Sequence, residues 1–212
     1  MNDAVKAARK RVVVFISGGG SNMLALVKAA SEPGFPAEIV AVISDKADAG
    51  GLAKAAPLGI ATFAFVRKDF ESKQAHEAAI LTELDRLSPD IICLAGYMRL
   101  LSATFINAYE GRIINIHPSL LPLFPGLHTH QRAIDAGMTE AGCTVHFVTE
   151  GMDEGPVILQ AKVPVLPGDT SEDLAARVLV EEHKSYPQAL RLLAEGKVRM
   201  VDGKVVVADI QG

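Results

Sequence analysis

Three short runs, Val12–Ile16, Ile39–Ile43 and Ile91–Ala95, are apolar at every position, and nothing constrains the fold of this chain more. A strand with one wet face alternates apolar and polar residues, so an unbroken run marks a strand covered on both faces. Helices supply such cover when parallel strands are joined by crossovers. Helical stretches lie between the runs. Leu24, Leu26 and Val27 follow the first, an alanine-rich segment spans Ala47–Leu58, and Ile80, Leu84 and Leu87 form a stripe in a helix expected over Asp69–Leu87. Further strands are expected over Ile60–Val66 and Ile113–Ile116, and Asp90 leads into the third run. The pattern predicts an α/β protein with a Rossmann-like, mostly parallel sheet flanked by helices.

The C-terminal part reads differently. Thr144–Val148 alternates, and Val157–Gln160 and Lys162–Val165 continue as extended chain. A short helix is expected over Gln131–Ala136. Thr170-x-x-Asp173 is a capping-box start for a long helix with Leu174 and Val178 on its inner side. Pro187 should kink that helix or start a new one, and Gly196 should end it. Val198–Val207 predicts a hairpin turning at Asp202-Gly203. A mixed C-terminal part therefore joins the parallel sheet.

The 212 residues suit one sizeable core, so residues 1–10 are expected as a flexible leader and 11–212 as a single domain. With 49% hydrophobic and 22% charged residues the balance is that of a soluble globular protein, and the net charge of −4 argues against general nucleic-acid or acidic-membrane partners. Cys93 and Cys143 form no CxxC pair, which points to a reducing, cytoplasmic setting. The apolar run after Lys10 and Arg11 is too short for a signal peptide or a membrane span.

In such sheets ligands bind at the carboxyl ends of the strands. Three candidate segments fall on that rim. The first is Ser17-Gly18-Gly19-Gly20-Ser21-Asn22, where a strand, a glycine loop and a helix start could bring free backbone N–H groups to a phosphate. It lacks the third glycine of a dinucleotide fingerprint and the Gly-Lys-Ser/Thr of a P-loop, and a merely tight turn is the other reading. The second is Gly96–Leu101. The third is Asn115-Ile116-His117-Pro118, where residues two apart on a strand face the same side and Pro118 stops the ladder. Asp153 lies in the loop-like run Gly151–Pro156. An amide donor, an imidazole and a carboxylate to bias it suit acyl-group chemistry, although Asn-x-His at a strand end also serves ordinary turns. Pro118–Gly126, with its prolines, predicts an ordered loop over the site. His146 is either a pocket residue or a simply hydrogen-bonded one. His128 and His130, with His117 and His146, raise a zinc site. Two positions on a helix diverge by about 200°, however, and no HExxH spacing is present, so no metal is expected.

Five motifs occur in order: Ser17–Asn22, Ala95–Leu101, Asn115–Pro122, Gly126–His130 and Asp153–Pro156. Through them the chain from about Arg11 to about Met200 resembles the phosphoribosylglycinamide formyltransferase family of purine biosynthesis. Related formyl-folate enzymes share the Asn115–Pro122 block but carry an extra domain, which this length does not accommodate. The resemblance implies 10-formyltetrahydrofolate as donor co-substrate and glycinamide ribonucleotide as acceptor, in a monomer or homodimer. It implies Asn115, His117 and Asp153 as the catalytic trio. Gly19, Gly20, Ser21, Asn22 and Glu182 would hold the ribonucleotide. The folate would lie against Met98, Arg99, Leu100, Leu101, Asn115, His146, Thr149, Glu150, Gly151, Met152 and Asp153, with Lys73 near its tail. At Lys73 relatives usually have arginine, and at Gly19 often a polar residue. On this reading about 11–110 forms a phosphate-binding half and about 111–212 a catalytic and folate half. Asp153 would favour the imidazolium of His117, raising its pKa above the usual value of about 6.5. A formyl-folate hydrolase using water as acceptor and a non-catalytic phosphometabolite sensor are the rival readings.

Overall fold

The structure is a computed structural model describing residues 8–208, so the first seven residues of the expected leader lie outside the described residues. Its centre is a seven-stranded sheet of β1 (Lys10–Ile16), β2 (Ala37–Ser44), β3 (Ala61–Ala64), β4 (Ile91–Leu94), β5 (Ile113–His117), β6 (Glu140–Phe147) and β7 (Val157–Pro164). The spatial order is β3-β2-β1-β4-β5-β6-β7. The first five strands run parallel, while β6 and β7 pair antiparallel. The α/β sheet and its mixed C-terminal side are as the residue pattern predicts.

Helices α1 (Ser21–Ala30), α2 (Gly50–Ala55), α3 (Lys73–Leu87), α4 (Ala103–Ala108), α5 (Thr129–Asp135) and α6 (Ser171–Ala194) flank the sheet. Alternation along β1 divides the core in two. Val12, Val14 and Ile16 pack with Met23, Leu26, Leu174, Val178 and Leu190 of α1 and α6. Val13 and Phe15 pack with Ile80, Leu84 and Phe105 of α3 and α4. Every side chain from Val12 to Ile16 is fully buried, each worth about 1.5–3 kcal/mol relative to exposure.

Several boundaries move for local reasons. The helix expected from Asp69 starts at Lys73, because Arg67–Asp69 forms a 3₁₀ turn and Ser72 caps the helix by accepting from the Ala75 N–H. The expected Ala47–Leu58 helix shortens to α2 and a 3₁₀ turn at Ala56–Leu58 containing Pro57. The strand expected over Ile60–Val66 shrinks to β3. Strand β6 begins at Glu140, earlier than its alternating stretch, because Ala141–Cys143 is buried against β7 and its surroundings. Helix α4 has no apolar stripe of its own length to announce it; Ser102 caps it through the Phe105 N–H.

Pro187 neither ends nor restarts α6, which runs unbroken from Ser171 to Ala194. Tyr186, Ala189 and Leu190 around it are fully buried, and their packing holds the helix through the missing N–H. The capping box at Thr170 and Asp173 is formed in full. A hairpin of β8 (Val198–Val201) and β9 (Lys204–Val207) follows, with Asp202 and Gly203 both at positive φ as a tight I′ turn requires. Its Met200 lies against Gly111, just before β5 begins. Among the described residues no helix is long and apolar enough to cross a membrane.

Candidate active site

The glycine loop leaves β1 and enters α1. Gly20 has φ 72° and forms the N-cap without a side-chain cap, so the first N–H groups of α1 stay available to an anion. The position needs glycine, since a Cβ there would lie 2.9 Å from Gly51 Cα. Gly51 N–H donates to Gly18 O at 3.0 Å, and Lys54 Nζ donates to Gly19 O at 2.8 Å. Asn22 Nδ2 donates to Glu182 Oε2 at 2.6 Å, which joins the loop to the middle of α6. Burial pushes the Glu182 carboxyl up, against the Asn22 hydrogen bond and the charges of His183 and His117. Asn22 Oδ1 is buried without a partner.

β5 delivers Asn115 and His117 to the same rim. Next to it, β6 pairs Asn115 with His146 and His117 with Thr144. His146 Nδ1 lies 2.9 Å from Phe147 O, so that nitrogen carries the proton and Nε2 is left to accept from Asn115 Nδ2 at 3.2 Å. Burial lowers the His146 pKa, with the Phe147 bond and Asp153 pulling it back and His117 pushing it down. A neutral His146 therefore fixes which way the Asn115 amide faces, and the second amide hydrogen is left for a ligand.

Asp153 lies between the two imidazoles. Its Oδ2 is 3.4 Å from His117 Nδ1 and accepts the Gly126 N–H at 2.9 Å, while Oδ1 is 3.8 Å from His146 Nε2. Asp153 holds φ 56°, an uncommon conformation for a non-glycine residue, and Gly155 is packed so closely that a Cβ would sit 1.7 Å from Phe147 O. His117 Nε2 faces Phe124 O at 3.0 Å. Both ring nitrogens of His117 thus face acceptors, an arrangement that a doubly protonated ring satisfies.

Phe124 arrives on the loop Pro118–Gly126, which is ordered as expected. Ser119 Oγ donates to Leu123 O at 2.6 Å, Thr144 Oγ1 donates to Ser119 O at 2.7 Å, and Gln160 Nε2 donates to Leu121 O at 2.8 Å. Sequence reasoning did not single out Thr144, Gln160 or the Phe124 carbonyl. The one available signal was a hydroxyl, Thr144, within the run Ala141–Val145, which the structure buries throughout. His130 is also near His117, and burial first, then His117, lowers its pKa. Among the described residues no group of three or more His, Cys, Asp or Glu side chains is placed to hold a metal.

Asn115, His146, Asp153, Arg99, Leu100, Leu101, Thr149, Glu150, Gly151 and Met152 line one cavity of about 100 Å³. Met98 and Lys73 do not reach it. They line a second cavity of about 300 Å³ with Arg67 and His76, and Arg99, Leu100 and Leu101 are shared between the two. Lys73 Nζ is 3.7 Å from Glu77. Met98, Leu100 and Met152 are exposed, so the cleft is rimmed by large apolar side chains.

The model of the formyl transferase family matches residues 10–190. The chain belongs to that family. It is 48% identical over 189 residues to the phosphoribosylglycinamide formyltransferase of Escherichia coli, covering 89% of each chain. It is 51% identical to the trifunctional purine biosynthetic protein adenosine-3 of Drosophila pseudoobscura pseudoobscura, but spans only 14% of that protein's length. A crystal structure of phosphoribosylglycinamide formyltransferase from Brucella melitensis superposes with a TM-score of 0.86 at 71% identity, covering 94% of this chain and 100% of that one. The rim that carries Asn115 and His117 lies within the span the family shares.

Proposed function

We propose that the chain transfers the formyl group of 10-formyltetrahydrofolate to the amine of glycinamide ribonucleotide, giving formylglycinamide ribonucleotide and tetrahydrofolate in de novo purine biosynthesis. One observation carries the reading. β5 ends in His117 on the same rim as the glycine loop that leaves β1, and Asp153, 3.4 Å from His117 Nδ1, lines the apolar-rimmed cleft. An anion cradle beside a flat, apolar cleft fits a phosphorylated acceptor and a pterin donor. The likeness over nearly full length to phosphoribosylglycinamide formyltransferases supports the same substrates.

In this reading the ribonucleotide phosphate binds the N–H groups of Gly19–Asn22, and Glu182 takes polar groups of the same substrate. The folate lies along Met98–Leu101, His146 and Thr149–Asp153, with its tail toward Lys73. The substrate amine attacks the formyl carbon and a C–N bond forms. The formyl oxygen becomes an oxyanion, stabilised by the free Asn115 N–H and by protonated His117. Collapse breaks the bond to the folate nitrogen, which takes a proton from His117, and the proton shed by the new amide nitrogen returns to the His117 ring. Because both ring nitrogens of His117 already face acceptors, that delivery breaks its contact with Phe124 or passes through water. No metal is required, and the half about 11–110 supplies the phosphate loop while the half about 111–212 supplies the catalytic trio and most of the folate contacts, with Met98–Leu101 and Lys73 crossing over to the folate and Glu182 to the ribonucleotide. The unit acts in the cytoplasm on small molecules alone, as a monomer or homodimer.

The test is release of deformylated folate, followed by absorbance, with and without glycinamide ribonucleotide. Strict dependence on the ribonucleotide is expected. Equal release without it would make the protein a hydrolase, and no turnover in either case would leave a binding protein.

A further inference from the structure

We propose that Asp45 is a positioning residue that sets the folate-side wall of the cleft and ties it to the glycine loop. The inference rests on the functional reading above. Asp45 follows the last residue of β2, on the same rim as the site, and is 3% exposed. A buried carboxylate is tolerated only with partners, and both of its oxygens have one. Oδ1 accepts from Ser17 Oγ at 2.5 Å, and Oδ2 accepts from Arg99 Nε at 2.7 Å. Ser17 Oγ in turn accepts the Met98 N–H at 2.8 Å, and Ser17 N–H donates to Gly96 O at 3.1 Å.

These contacts join the segments that follow three neighbouring strands, β1, β2 and β4. The segment Gly96–Leu101 belongs to no helix or strand, so no ladder of its own fixes it. Arg99 lines both cavities together with Tyr97, Leu100 and Leu101, and its side chain is 41% exposed. Such a long, half-exposed side chain has many rotamers unless an ion pair selects one. Asp45 selects it from below. The connection that begins at Asp45 also reaches the glycine loop, through Gly51 to Gly18 and Lys54 to Gly19. One buried carboxylate therefore anchors the wall on the donor side from the same stretch of chain that supports the acceptor side.

The experiment is steady-state kinetics on the full chain, varying each substrate, for the wild type, Asp45→Asn, Ser17→Ala and the double variant, with thermal unfolding of each. For Asp45→Asn the KM for 10-formyltetrahydrofolate should rise roughly tenfold, while kcat and the KM for the ribonucleotide stay within about twofold. Ser17→Ala should give a rise of about threefold, and the double variant should be no worse than Asp45→Asn, because both act through one network. A parallel fall of kcat, both affinities and Tm would mean that Asp45 only supports the fold. An unchanged or lower folate KM in a folded variant would overturn the proposal. Should Asp45→Asn fail to fold, Ser17→Ala reads the same wall. Failure of the wild type to deformylate folate would instead overturn the functional reading, so the two failures are distinguishable.

Discussion

The glycine-loop side of the site, proposed above to take the acceptor, presents main-chain N–H groups and glycines whose freedom is used up by close packing. The donor side presents side chains, and its loops hold residues such as Phe124, His128 and Asp153 at positive φ. On the first side shape comes from atoms that are missing, because Gly20 and Gly51 leave no room for a Cβ. On the second, chemistry comes from groups that are oriented, because a neutral His146 aims Asn115 and Asp153 faces His117. The contrast teaches that substitutions should separate by substrate and by step. The glycine-loop side should respond in binding and stability, and the oriented groups Asn115, His117 and Asp153 in turnover.

The largest effect should come from His117→Asn. General acid catalysis contributes about 10² to 10⁴ in rate, so kcat should fall within that range while both KM values change little. Initial rates under saturation check it, and near-normal turnover would remove His117 from the mechanism. Gly51→Ala attacks the other side. Its Cβ would lie 2.4 Å from Ile16 Cδ1 and 3.2 Å from Gly18 O, so stability should drop by about 1–3 kcal/mol in denaturant unfolding. The ribonucleotide KM should rise more than kcat falls. A loss confined to kcat would erase the contrast.

Glu182→Gln sharpens the comparison further. The folded carboxyl titrates above its ordinary value of 4.5, so its ionised form at neutral pH costs stability. The neutral amide should hold or slightly raise Tm at pH 7 while weakening ribonucleotide binding by about tenfold, and the stability gain should vanish below about pH 4.5. The smallest effect is expected from acid. The folded His146 titrates below its ordinary value of 6.5, so the unfolded chain binds the extra proton first. Stability is complete above about pH 6.5 and declines as pH falls below it. Unfolding midpoints at pH 7.5 and 5.5 should differ in wild type and differ less in His146→Asn.

The sheet was readable because stretches such as Val12–Ile16, Ala41–Ile43 and Ile91–Leu94 are buried on both faces, a condition that leaves continuous apolar runs. Asn115 and His117 stood out because they interrupt such a strand at its end. Helix α4 was not readable, since six residues carry too little periodicity, and no new helix starts at Pro187 because tertiary packing outweighs a local propensity. The pairing of Glu182 with Asn22 joins residues 160 positions apart, and no local pattern encodes it; the family resemblance alone pointed there. Asp45 was invisible for a related reason. An aspartate after a strand reads as turn chemistry until the arginine that meets it, 54 positions later, is folded into place.

The packing of Met200 on Gly111 has a practical consequence. It puts the first strand of the β8–β9 hairpin beside the amino-terminal start of β5, and Lys10, where β1 begins, is at that same end of the parallel strands. Asn115, His117 and the glycine loop occupy the opposite end. A reporter or a surface linker attached at the Asp202-Gly203 turn would therefore lie away from the rim that carries Asn115 and His117, so protein immobilised there should turn over as freely as protein in solution.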